Sequence, residues 1–149
     1  MKKFIFSLAP LLKVKRIQEK QKRAELAEIL AELRALNAQK EDAVRRLEES
    51  SLRFRREMRS GMPPPRMAWY SNFAGYTEEQ LKALQAAIDE AEQRKREKQG
   101  ELLSLTREMR TIEEMRGEQY RAYLEEVSKE EQGILGDLIS FNKATETAE

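Results

Sequence analysis

Leu26, Ile29, Leu33, Leu36, Lys40, Ala43, Leu47, Ser50 and Phe54 fall alternately three and four residues apart. So do Leu81, Leu84, Ile88, Ala91, Lys95, Lys98, Leu102, Leu105, Met109, Ile112, Arg116, Gln119 and Tyr123. A stripe repeating every 3.5 residues or so stays on one face only when two helices wrap around each other. The positions between are charged. Pairs such as Glu41/Arg45, Asp42/Arg46 and Glu90/Arg94 put the acid one turn before the base, the order that supports a helix.

Backbone breakers are sparse. The first glycine is Gly61, and the prolines are Pro10 and the run Pro63-Pro64-Pro65. These divide the chain into two helix-competent segments joined at Ser60–Pro65. The expected fold is all-α: two long helices forming an antiparallel coiled-coil hairpin within a single domain, 1–141. The first helix is expected over about 8–59 and a turn with an aromatic segment over 60–76. The second is expected over about 77–139, with 142–149 as a disordered tail, Gly133 and Gly136 marking a fraying end. Thr77-Glu78-Glu79-Gln80 fits a capping box opening the second helix. One antiparallel register matches both stripes. It pairs Phe54 with Leu81, Leu33 with Leu102, Leu26 with Met109 and Leu12 with Tyr123. It also sets Lys40 against Lys95, which predicts a loose layer where two ammonium groups reach for water.

Chemistry is constrained by what the chain lacks. Its 149 residues contain no cysteine and no histidine, which removes thiol nucleophiles, zinc fingers and imidazole acid–base sites. A hairpin with one layer of core offers no deep pocket, so the expectation is a protein that is not an enzyme and carries no cofactor and no metal. No run approaches the roughly 20 apolar residues that span a bilayer. The start, from Met1 to Leu12, resembles a signal peptide. The next residues are Lys13-Val14-Lys15-Arg16, which do not form a small-residue cleavage site, so a cytoplasmic protein is expected.

Three features point to contacts with other proteins. Trp69, Tyr70, Phe73 and Tyr76 crowd four aromatic rings just past the turn, more than a two-helix hairpin can cover. The N-terminal stretch with Phe4, Ile5, Phe6, Leu8, Leu11, Leu12, Val14 and Ile17 is apolar around more than one face. Charge is polarised: residues 1–59 hold 16 basic and 9 acidic groups, whereas 124–149 hold 2 and 7. The overall charge of +1 argues against a nucleic-acid binder.

These residues carry a resemblance. Phe4-x-Phe6-x-Leu8-x-x-Leu11-Leu12-x-x-Lys15, then Ala24-Glu25-Leu26-Ala27, then Ser60-Gly61-Met62 with Met67-x-x-Tyr70-x-x-Phe73, resemble in order and spacing the FliJ family of bacterial flagellar type III export. The resemblance implies an antiparallel coiled coil shaped like a rotary-ATPase stalk. It implies a protein that binds the export ATPase ring and promotes its assembly, contacts the export-gate membrane protein, and handles emptied export chaperones at the flagellar base. By position, Phe6, Leu8, Leu11, Leu12 and Tyr123 would face the ATPase, and Trp69, Tyr70, Phe73 and Leu84 the gate. Ala74-Gly75-Tyr76-Thr77 departs from the family pattern as a short insertion, leaving either Leu81 or Ala87 to accompany Leu84. The alternatives are a stalk of a virulence-type secretion system and a purely structural coiled-coil tether.

Overall fold

The computed structural model describes residues 2–148. It consists of two helices, α1 (Ala9–Ser60, 52 residues) and α2 (Pro64–Thr147, 84 residues), with no strand among the described residues. The helices run antiparallel and form a coiled-coil hairpin. Only Gly61, Met62 and Pro63 separate them.

The reversal is built from backbone chemistry. Gly61 has φ +86, a left-handed conformation that ends α1 and that a side chain would strain. Its N–H donates to the Met58 carbonyl at 3.3 Å. The Pro63 carbonyl then accepts from Arg66 N at 3.0 Å and Met67 N at 3.3 Å, opening α2. Pro64 and Pro65 fill the first two helical positions, where no N–H is needed and a fixed φ is an advantage. The triple proline therefore starts the second helix instead of holding it off.

Two expectations change as a result. The segment to residue 76 is helical, and α2 begins at Pro64 rather than near Thr77. Thr77 caps nothing: it is buried, and its Oγ1 donates to the Phe73 carbonyl at 2.8 Å inside the helix. At the far end α2 continues to Thr147, so 142–147 is helix rather than a disordered tail. Thr145 and Thr147 hydroxyls donate back to Phe141 and Lys143 carbonyls at 3.1 and 3.0 Å. Glu149 lies outside the described residues.

The chain divides into two compact units. One comprises Lys20–Leu102. Its core is Ile29, Leu33, Ile88 and Ala91, with Leu36 packed against them. Ala91 and Ala43 are its most buried apolar residues, at 0% and 1% exposure. Near the turn the Phe54 ring meets Tyr70, centroids 5.4 Å apart. The other unit comprises Met1–Glu19 and Leu103–Glu149. Here Phe6 and Leu12 pack with Leu105, Met109 and Ile112, flanked by Phe4 and Leu8. The residues before α1 lie along α2: the Tyr123 hydroxyl donates to the Lys2 carbonyl at 2.7 Å, and the Phe4 ring sits 5.1 Å from Tyr120.

The stripes pair, but in a different register. Phe54 faces Tyr70, eleven residues before the Leu81 expected from sequence. Leu33 shares its cluster with Ala91 rather than Leu102, and Leu12 lies with Met109 and Ile112 rather than Tyr123. An eleven-residue shift carries Leu84, Ala91 and Lys98 onto Lys95, Leu102 and Met109 but leaves Leu81, Ile88 and Lys95 one position off the stripe. The expected register therefore matches only alternate stripe positions. The observed one, counted from Phe54–Tyr70 beside the three-residue reversal, sets every stripe position from Leu26 to Ala43 against one on the second stripe. The Lys40–Lys95 layer is accordingly absent. Lys40 Nζ donates to Gln85 Oε1 at 2.7 Å, and Lys95 Nζ lies 3.5 Å from Glu92. Where the seam is polar, cross-helix ion pairs fill it: Lys22–Glu101 at 2.9 Å, Lys98–Glu25 at 2.7 Å and, in the other unit, Lys15–Glu108 at 2.7 Å.

Candidate docking surfaces

The helical reading of 64–76 sorts the four aromatic residues by direction. Tyr70 points into the seam against Phe54 and is buried. Trp69 and Phe73, one turn apart, share an outer side. Their rings stack at 5.5 Å with an interplanar angle of 6°, Trp69 half-exposed and Phe73 partly buried. Tyr76 is 68% exposed.

A polar clasp fixes this end. Glu57, one turn from the end of α1, accepts two bonds from Arg66, Nε to Oε2 and Nη2 to Oε1, both at 3.0 Å. The Tyr70 hydroxyl donates to Glu57 Oε1 at 2.9 Å. The Arg66 guanidinium also lies 5.5 Å from both the Trp69 and Tyr70 ring centroids, within cation–π range. A bidentate pair ties the two helices across the reversal. Shallow grooves flank Tyr70. One of about 380 Å³ is bordered by Leu47, Phe54, Met67 and Ala74; another of about 180 Å³ is bordered by Arg46, Arg53, Trp69 and Phe73.

The clasp has an acid limit. The hydrogen bond from Arg66, then that from Tyr70, holds the Glu57 carboxyl below its ordinary 4.5, and the Arg66 guanidinium is raised by the same bond. Burial, then the bond to Glu57, pushes the Tyr70 phenol up. A depressed carboxylate stabilises the fold above its ordinary range, and that contribution disappears as pH falls through the lowered value. Trp69 is the only tryptophan, so its emission reports the clasp directly. An acid titration should show a Trp69 transition below 4.5, and Glu57→Gln should remove it. A transition that persists unchanged in the Gln variant would mean that another group is being read.

The other sequence-selected residues separate. Leu84 is partly buried and lies eleven residues beyond Phe73, about 16 Å along a helix at ~1.5 Å per residue, so it does not join the Trp69–Phe73 pair. Phe6 and Leu12 are core, Leu8 packs on that core, and Tyr123 is bonded to Lys2. Of the residues selected for that end only Leu11 is exposed. The outer side of α1 also exposes Val14 and Ile17, which the excess of apolar residues at the N-terminus signalled. Sequence reasoning missed the exposed Ile134, Leu135, Leu138, Ile139 and Phe141 by treating Gly133 and Gly136 as a fraying end.

Among the described residues no cluster of acidic groups is placed to hold a metal ion, and no helix is long and apolar enough to cross a membrane.

This arrangement, an antiparallel hairpin with an aromatic pair beside its reversal and an N-terminal Phe-x-Phe segment packed on α2, coincides with a family match: the model for the flagellar FliJ protein matches residues 4–136. The chain belongs to the FliJ family. FliJ proteins are a non-catalytic structural and escort family with a flagellar export-related role. Comparison with curated proteins and with solved structures gives no significant match.

Proposed function

We propose that this FliJ-family chain is a cytoplasmic stalk and escort component at the flagellar base, working through protein contacts. The turn end meets the export-gate membrane protein through Trp69 and Phe73, with Tyr70 as the buried post that holds them. The unit with the N-terminal segment meets the export ATPase ring through exposed Leu11 and its neighbours Val14 and Ile17. Phe6, Leu8, Leu12 and Tyr123 shape that surface from beneath. Leu84 supports the hairpin further along α2. Through these contacts the chain promotes ATPase assembly and protein export, and it passes on emptied export chaperones.

The observation that carries the reading is the Trp69–Phe73 stack, left accessible and pre-set by the Glu57–Arg66–Tyr70 clasp. Rigid aromatic groups give up little freedom on docking and concentrate binding energy. The test mixes the full chain with purified export ATPase and with the cytoplasmic part of the gate protein. Stimulation of ATP hydrolysis and binding of the gate are both expected. Leu11→Asp with Val14→Asp should abolish the stimulation and leave gate binding and helicity unchanged. No stimulation by the native chain, or stimulation indifferent to the double variant, would overturn the assignment of the ATPase end.

A further inference from the structure

Beyond Val127 no described residue of α2 is even partly buried. That stretch is nevertheless not polar all round. Ile134, Leu135, Leu138, Ile139 and Phe141 are between 49% and 68% exposed. At about 100° per residue they occupy one arc of roughly 160°, the width of a core-facing stripe rather than a scatter of surface apolar residues. Ser140, Gly133 and Gly136 fall on the opposite side. Glu126, Glu130 and Asp137 line the edge beside Ile134 and Phe141. None of these residues belongs to the surfaces proposed for the ATPase or the gate.

What fits such a stripe can be read from how α2 is covered elsewhere. Its partner in the hairpin is α1, a helix with an apolar stripe and a basic surround: residues 1–59 carry 16 basic against 9 acidic groups. The match is made by Lys22–Glu101 in one unit and Lys15–Glu108 in the other. We infer that the exposed stripe at Ile134–Phe141 is a docking site for a basic amphipathic helix of another protein, which takes over the role α1 plays earlier in α2. Pairing of this stretch with the same stretch of a second copy is disfavoured, because residues 124–149 hold 7 acidic and 2 basic groups and would face their own sign, and within each copy α1 is already paired with α2. An anionic lipid surface is disfavoured for the same reason.

The test titrates the full chain with a synthetic amphipathic helical peptide bearing Leu and Ile at core spacing and Lys and Arg beside them. A twin carries Glu at every basic position. The basic peptide should bind about tenfold or more tightly than its twin, with the difference shrinking as salt rises. Leu138→Glu with Phe141→Glu should abolish binding, whereas Leu138→Met with Phe141→Leu should retain it. Both variants should match the native far-UV circular dichroism, since the replaced side chains are exposed. Equal binding of the two peptides, or binding of neither, would overturn the inference. So would concentration-dependent self-association lost only in the glutamate variant, or binding to anionic vesicles without binding to the peptide.

Discussion

Replacing Ala91 with glutamate should open the paired helices of the Lys20–Leu102 unit. Ala91 is fully buried, and with Ala43 it marks where the stripe narrows to its smallest side chains. Small residues on a seam let two helices approach closely. A longer side chain must push them apart, and a carboxylate there loses its water among apolar side chains unless the helices part. The other buried members of its apolar cluster are Ile29, Leu33 and Ile88, none of which donates a side-chain hydrogen bond. Burying an unpaired charge costs about 3 kcal/mol or more in such a setting. The thermal midpoint followed by far-UV circular dichroism should fall by about 10 °C or more at that cost. Ala91→Ser, which adds only a small hydroxyl, should remain close to native. A midpoint that did not move on Ala91→Glu would mean that the seam does not run through this residue.

The second large effect concerns binding and should leave stability nearly untouched. Trp69→Ala with Phe73→Ala removes the outer stack and keeps the clasp, because Glu57, Arg66 and Tyr70 bond to one another without these rings. Loss of a two-residue aromatic anchor typically weakens an interface by about 2 kcal/mol or more, some thirtyfold at ~1.4 kcal/mol per tenfold. Gate-protein affinity should fall by that order, while the melting curve shifts by no more than about 4 °C, the effect of ~1 kcal/mol in a chain of this size. Tyr70→Ala makes the contrast. It removes the buried ring against Phe54 and the bond to Glu57, so it should lower the melting temperature as well. If the Trp69/Phe73 variant melts early with affinity intact, the pair is a plug that closes the hairpin, and the gate surface lies elsewhere.

Much of this was legible in the residues. Ile29, Leu33, Leu36, Ala43, Ile88, Ala91, Leu105, Met109 and Ile112 were all on the expected stripes, and all are buried or packed against the core. Periodicity fixes which face is covered because only one face can be. It fixes the pairing along that face less firmly, since an eleven-residue slide still returns every second stripe position to the stripe. The decisive quantity was the length of the reversal, and that was hidden by reading Pro63-Pro64-Pro65 as a breaker. Proline disrupts a helix by lacking a donor and crowding the preceding turn, and neither matters at the first helical positions. The same reading concealed the split of the aromatic cluster. Trp69 and Phe73 share a side, and Tyr70 turns inward, only if residues 64–76 are helical. Gly133 and Gly136 misled in the opposite sense. Each costs a helix about 1 kcal/mol relative to alanine, which weakens a long helix without ending it. Lys40 and Lys95, set against each other by the eleven-residue offset, instead meet Gln85 and Glu92.

The central claim is that the chain folds back at Gly61–Pro63 with Leu33 beside Ala91. The protein has no cysteine, so paired thiols can be introduced without background. Under mild oxidation at low protein concentration, Leu33→Cys with Ala91→Cys should form a disulfide within one molecule, seen as faster migration of the monomer in a denaturing gel. Leu33→Cys with Leu102→Cys should stay reduced. A bond through 102 but not 91, or one that joins only separate molecules, would contradict the fold-back and its register.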